Sequence, residues 1–405
     1  MRHLIAAVLL AAAATPAFAA DPLLAAATAV LPDQLKLLES VVDIDSGTGD
    51  ADGGAKVMAV LAPRLKALGA TIETVPAEAP GLADNTVAVV RGTGKVRILM
   101  IGHIDTVFGP GTVAKWSFSN DGTRLHGPGV GDEKGGVVEG IEAIKLLHDA
   151  HFTDFASITL LIETSEERGS PGTRKLIDRL LDTADVELNL EPGDAPDKIT
   201  VWRKGSTVYT IDVTGKAAHA GVAPQDGRNA AVELLHQLQG YDKFPHSGDG
   251  LTVNLTLMSA GTRNNIIPDH ATASFSVRVR DAAQNETVLT QLEAAAKTVA
   301  VPGTTVKILH DAAYPPLPNN PATDRLAARA AKLYVATGRS LGTGGNGGAS
   351  ESAMAAARGI PALDGVGPVG GGFHSDGEFV DLGSVTPRLY LLAALIRDLG
   401  TNGVR

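Results

Sequence analysis

Short apolar runs at residues 87–90, 96–101, 157–162 and 186–190 alternate with helical patterns at 53–68, 135–148 and 173–181. No other feature constrains the fold as strongly. Brief apolar runs bounded by glycine or polar turns read as buried strands. Strands that alternate with helices require a mixed or parallel sheet covered on both faces. Within 53–68, Val57, Met58, Val60, Leu61, Leu65 and Leu68 recur at helical spacing. Within 135–148, Val137, Ile141, Ile144 and Leu147 do the same. A further helix is expected at 32–42 and a short strand at 71–75.

The pattern changes near residue 205. Residues 207–213 alternate strictly, with Val208, Thr210 and Asp212 on one face and Tyr209, Ile211 and Val213 on the other. A helix is expected at 228–239, strands at 251–258 and 271–278, a helix at 286–300 and a strand at 305–309. The order β-α-β-β-α-β describes a small sheet with helices on one face. At 405 residues the chain is too long for one ordinary core. The expectation is therefore an α/β fold with a mixed sheet, carried by residues 20–204 and 315–405. An α+β domain (βαββαβ) at 205–314 is inserted between them, closed by the joint Tyr314-Pro315-Pro316. The α/β pattern then resumes with helices at 322–337, 350–357 and 384–399. The glycine-rich residues 342–348 read as a loop that exposes backbone.

Composition removes several function classes. The formal net charge is -10 and there is no long basic run, which argues against nucleic acid and anionic membranes as partners. The chain has no cysteine, so disulfides, thiolate nucleophiles and cysteine-based zinc sites are excluded. Arg2 and His3, an apolar run at 4–14, and Ala17-Phe18-Ala19 form the three parts of a secretory signal peptide. Residues 1–19 are thus expected to be cleaved near Ala19, leaving a periplasmic or secreted protein.

Chemistry gathers just past the apolar runs, where open α/β sheets bind their ligands. The run at 98–101 leads into His103-Ile104-Asp105. Positions two apart in extended chain face one side. Asp105 can then fix the tautomer of a ligating His103, directly or by shaping the turn. Gly127-Pro128-Gly129-Val130-Gly131 sets Asp132 at a helix start. Glu166-Glu167 follows the run at 157–162, and adjacent carboxylates are relieved when one binds a cation. Glu191 follows 186–190, and His374 follows glycines 370–372. Two histidines and three carboxylates suit zinc, or manganese or cobalt. One bridging carboxylate with two further ligands per ion makes a two-metal site, ions about 3.5–4 Å apart, with Glu166 free to accept a proton from water.

These motifs resemble, in order and over essentially the whole mature chain, the M20 family of metallopeptidases, in particular its glutamate carboxypeptidase (carboxypeptidase G type) branch. The resemblance implies the zinc-exopeptidase fold and two zinc ions per subunit. It makes Asp132 the bridging ligand, His103 and Glu191 the ligands of one ion, and Glu167 and His374 those of the other. It makes Glu166 the general base and Asp105 the support of His103, and it implies a cis Asp132–Glu133 peptide. Gly215-Lys216-Ala217-Ala218-His219 matches a lid motif whose His219 stabilises the oxyanion, reaching into a partner subunit. Asn265 and Arg278 match positions that bind the substrate carboxylate, a role suited to an arginine fork. The inserted domain is expected to join two subunits by its sheet edges.

The implied reaction is hydrolysis of the amide before a C-terminal amino acid in a small peptide or N-acyl amino acid. A deacylase or dipeptidase of the same family is the alternative, and a non-catalytic binding protein a remote one. Two departures bear on the substrate. Glu351 stands where relatives often carry aspartate, and residues 310–314 hold no arginine to read an acidic side chain. His126, His148, His151, His236, His246, His270 and His310 are expected in helices or polar loops, without a chemical role.

Overall fold

A computed structural model describes residues 21–404. The leader read at residues 1–19 lies outside the described residues.

A six-stranded mixed sheet forms the centre, in the order Thr71–Val75, Asn85–Arg91, Ser157–Glu163, Arg97–His103, Val186–Asn189, Ala362–Leu363. The last four run parallel, so their carboxyl ends lie along one edge. Asn85–Arg91 joins this set antiparallel. Successive side chains of a strand face opposite sides. Ile98 and Met100 therefore enter a large core with helices Pro22–Val42, Lys134–Asp149 and Leu382–Asn402, while Leu99 and Ile101 enter a smaller one under Arg174–Leu181.

A second, four-stranded antiparallel sheet has the order Thr252–Ala260, His270–Val279, Gly205–Thr214, Thr305–Tyr314. Tyr209, Ile211, Val213 and Phe275 pack on Leu234 of helix Ala230–Gln237 and on Val288 and Leu292 of helix Ala283–Ala296. The opposite face carries Ser206 and Val208, which pair with Arg278 and Ser276 across the ladder. That face looks toward the ends of the central strands.

Three local expectations change. The first helix runs from Pro22 to Val42, ten residues earlier than expected; Pro32, which reads as a helix start, is absorbed within it. Gly342–Asn346 is not a loop but a strand, parallel to Lys198–Arg203. Glycine is needed there because a Cβ on Gly345 would sit 2.3 Å from the Trp202 ring. His126, His270 and His310 lie on strands rather than in helices or polar loops. Tertiary pairing, invisible to local pattern, places them there.

Candidate metal centre

The carboxyl ends of three parallel strands deliver the site. His103 ends its strand and is 1% exposed. Its Nδ1 lies 2.9 Å from the backbone carbonyl of Asp105. A carbonyl only accepts, so Nδ1 carries the proton and Nε2 presents its lone pair to the cleft. That lone pair faces Asp132 Oδ1 at 3.1 Å and Glu191 Oε1 at 3.7 Å. On the other side of Asp132, His374 Nε2 lies 3.3 Å from Oδ2 and 3.1 Å from Glu167 Oε2. Two triads result, His103–Asp132–Glu191 and Asp132–Glu167–His374. Within each, the donor atoms lie within 4.8 Å of one another, and Asp132 belongs to both.

Asp105 does something more specific than expected. Its carboxylate stands 3.5 Å from the His103 ring and is otherwise engaged. Oδ1 accepts the Glu166 N–H at 3.1 Å, while Oδ2 accepts the Glu167 N–H at 3.3 Å and the Thr48 hydroxyl at 2.7 Å. One buried aspartate thus orients the histidine through its carbonyl and the Glu166-Glu167 turn through its side chain. Glu166 Oε2 comes within 3.8 Å of His103 Nε2.

The chain resembles known proteins over this whole framework. The model of peptidase family M20/M25/M40 matches residues 99–398. Carboxypeptidase G2 of Pseudomonas sp. (strain RS-16) is 35% identical over 380 residues, spanning 93% of this chain and 92% of that protein. The chain belongs to peptidase family M20/M25/M40. A succinyl-diaminopimelate desuccinylase of Rhodospirillum centenum is 31% identical over 277 residues, 62% of this chain and 68% of its own. Among solved structures, a tripeptidase from Staphylococcus aureus superposes with a TM-score of 0.74 at 22% identity, covering 92% of this chain and 99% of that one. An M20 metallo-carboxypeptidase from Sulfolobus solfataricus gives 0.73 at 17% identity, with 91% and 99% coverage. These two likenesses are of fold.

In this M20 peptidase the candidate ligand shell is held by residues that sequence reading missed. Arg203 donates to Glu191 Oε2 at 3.1 Å and forks onto Asp364 at 2.6 and 2.8 Å, all three buried. Glu378, four residues after His374, accepts the N–H groups of Gly129, Gly131 and Asp132 at 3.1, 2.8 and 3.0 Å. It pins the turn that presents Asp132, whose peptide to Glu133 is cis. These side chains come from positions far along the chain, and no spacing rule pairs them.

The electrostatics match the donor set. Burial raises the Glu166, Glu167 and Glu191 carboxyls above their ordinary range, and neighbouring carboxylates add to it. Burial alone would raise Asp132 too, but its contacts with the His103 and His374 imidazoles outweigh it and hold that carboxyl well down. Hydrogen bonds to Asp132 and Glu167 push His374 up to about 10. Crowded buried carboxylates that share two imidazoles lack positive charge, and divalent cations would supply it. The residues therefore fit two metal ions.

A cleft of about 560 Å³ joins Asp132, Glu166, Glu167, Glu191 and His374 to Arg278 and Ser206 of the second sheet. Arg278 is half-buried and sits close enough to Glu166 to feel its charge. His219 and Asn265 do not join it. They lie at a separate two-stranded antiparallel ribbon, Ala218–His219 against Ile266–Ile267, and both are exposed. His219 Nδ1 accepts the N–H groups of Gly221 and Val222 at 3.1 Å, which leaves Nε2 outward.

Proposed function

We propose that this M20 peptidase is a two-zinc hydrolase that cuts the amide before a C-terminal amino acid in a small peptide or N-acyl amino acid. The observation that carries this is the pair of triads sharing Asp132, with Glu166 beside them and Arg278 across the same cleft. His103 and Glu191 would hold one ion, Glu167 and His374 the other, and Asp132 both. When bound, the metals polarise the carbonyl and acidify water near neutral pH. Glu166 takes the proton of the attacking water and passes it to the leaving nitrogen. Asp105 keeps Glu166 and His103 aligned. Arg278 grips the free carboxylate of the leaving residue, a task its planar fork suits.

His219 and Asn265 are proposed to act across a homodimer, in the site of the second subunit, with His219 stabilising the oxyanion. The edge strand Thr252–Ala260 supports that assembly, because Leu257 and Met258 on it are 70% and 53% exposed. Secretion after cleavage near Ala19 rests on the leader pattern alone. Among the described residues no helix is long and apolar enough to cross a membrane.

A strict glutamate preference is not part of the proposal. Asp311, the residue of segment 310–314 that is charged at neutral pH and lines the cleft, is a carboxylate paired with Arg174 at 2.8 Å. The likeness to a desuccinylase supports, as a second reading, an N-acyl rather than a peptide substrate. The test is a hydrolysis panel of N-acyl amino acids, dipeptides and tripeptides, with and without a chelator. Chelator-sensitive release of the C-terminal residue is expected. Release that persists after the metal is stripped would contradict the reading.

A further inference from the structure

Glu351, which stands where relatives often carry aspartate, and the arginine-free segment 310–314 meet inside the protein. That segment ends the last strand of the second sheet, and its ladder with Gly205–Thr214 slips by one residue between Ala312 and Tyr314. A bulge of this kind re-aims a side chain. Tyr314 is buried, unlike the residues just before it, and its hydroxyl donates to Glu351 Oε1 at 2.8 Å.

From this pair two arms reach the candidate metal centre. One passes through Ser170, whose hydroxyl lies 2.5 Å from that of Tyr314 and donates to Glu163 Oε2 at 2.8 Å. The Ser170 N–H closes on the Ser165 carbonyl at 2.9 Å and the Gly169 N–H on the Glu166 carbonyl at 2.6 Å. Ser170 therefore ends the turn whose start Asp105 grips. Its φ is 55°, a left-handed backbone that glycine adopts without strain, so a serine there points to use of the hydroxyl. The other arm passes through Asn189. Its Nδ2 donates to Glu351 Oε2 at 2.9 Å, and its Oδ1 accepts the Glu191 N–H at 3.0 Å. Glu163, Ser170, Asn189, Tyr314 and Glu351 are all buried, away from water that could replace a lost partner. The turn also packs directly on the strand. A Cβ on Gly169 would lie 2.4 Å from the Ala313 Cβ, and Arg174 donates to the Gly169 carbonyl at 2.8 Å while pairing with Asp311.

We propose that Tyr314 and Glu351 are a positioning pair for the reaction. Through Ser170 they fix the far end of the Glu166-Glu167 turn, and through Asn189 the backbone at Glu191. This rests on the hydrolase reading above. The second sheet then does more than carry Arg278: its last residue sets where Glu166 stands relative to the water it deprotonates. An aspartate at 351, one methylene shorter, would fall short of Tyr314 or of Asn189.

The test is steady-state kinetics of the zinc-saturated full chain, on the best substrate of the panel, with Tyr314→Phe, which removes only the hydroxyl. kcat is expected to fall at least about tenfold, the scale of a small displacement of a catalytic group, with KM and zinc content unchanged. Glu351→Asp should act in the same way. Ser170→Ala leaves the Tyr314–Glu351 bond in place and should also lower kcat, so it carries the test if Tyr314→Phe fails to fold. Added to Tyr314→Phe it should cost little more, because both break one path. Amide hydrogen exchange, read without turnover, should quicken in residues 165–174 of either variant while helix Leu382–Asn402 exchanges as in the wild type. Unchanged kcat in Tyr314→Phe and Ser170→Ala, an effect confined to KM, costs that simply add, or faster exchange spread evenly along the chain would each overturn the positioning role. A wild-type chain inert on the whole panel would overturn the hydrolase reading, and with it the role that rests on it.

Discussion

The two regions that face each other across the main cleft are built on different terms. At the ends of the central strands three of the proposed ligands are held from within their own chain: His103 by the Asp105 carbonyl, Glu191 by Arg203, the Asp132 turn by Glu378. On the second sheet, Arg278 reaches the cleft, while His219 and Asn265, at a separate exposed two-stranded ribbon, do not line it. A metal shell tolerates little error in donor position, so it is built at the ends of rigid strands. Groups that meet only the substrate can ride on a separate sheet and be completed by another copy. The contrast teaches that the candidate metal shell is assembled within one chain, whereas the roles proposed for His219 and Asn265 require a second copy.

The contrast can be broken from the central side first. Glu166→Gln should lower kcat by roughly 10²–10⁴-fold while metal content stays unchanged, because the amide cannot accept a proton yet keeps the shape of the turn. Unchanged turnover, measured alongside metal analysis, would remove Glu166 from the mechanism.

From the other side, His219→Ala should cost on the order of 10²-fold, the scale of one oxyanion donor. Mixing His219→Ala with Glu166→Gln subunits should then recover activity that neither has alone, since one mixed site regains both groups. Absence of recovery in verified mixed dimers would place His219 outside the partner's site. Arg278→Met should reduce kcat/KM by roughly tenfold to a hundredfold for substrates with a free C-terminal carboxylate. It should matter little for the corresponding C-terminal amides, so comparing the two series isolates the carboxylate contact.

How far each region can be read from sequence follows the same division. His103, Asp132, Glu166, Glu167, Glu191 and His374 stand at strand ends or beside glycine turns, and local pattern alone marks them. The alternation at 207–213 likewise announces the second sheet. Arg203 and Asp364 are different: they meet only after distant segments have come together, and their neighbours in sequence carry no motif; Glu378 lies four residues after His374, but the N–H groups it accepts belong to residues 129–132. The Gly342–Asn346 strand escapes for a related reason, since Gly345 fits the Trp202 ring and not a strand propensity. Asp105 was legible as a supporting residue, but its grip on the Glu166-Glu167 turn was not, because Thr48 and that turn converge on it from separate segments.

The smallest effect lies far from either region. Asp21 caps the first helix by accepting from Leu23 at 3.0 Å and pairs with Arg397 at 2.6 Å. Burial alone would raise its carboxyl, but these partners outweigh burial and hold it below its usual range. A depressed acid contributes stability that is present above its unfolded pKa and is lost as pH falls through the folded one. Asp21→Asn keeps the cap but loses the ion pair with Arg397, and should therefore cost at most about 1 kcal/mol near neutral pH, a gap between the two thermal melts that closes as pH drops below about 4.

The most direct test of the central claim is a count of metal per chain. After saturation with zinc and removal of loose ion, elemental analysis should find two zinc ions per wild-type chain, one in Glu191→Gln, and a loss of both in Asp132→Ala. A single ion in the wild type, or two that survive loss of Asp132, would contradict a centre bridged by that aspartate.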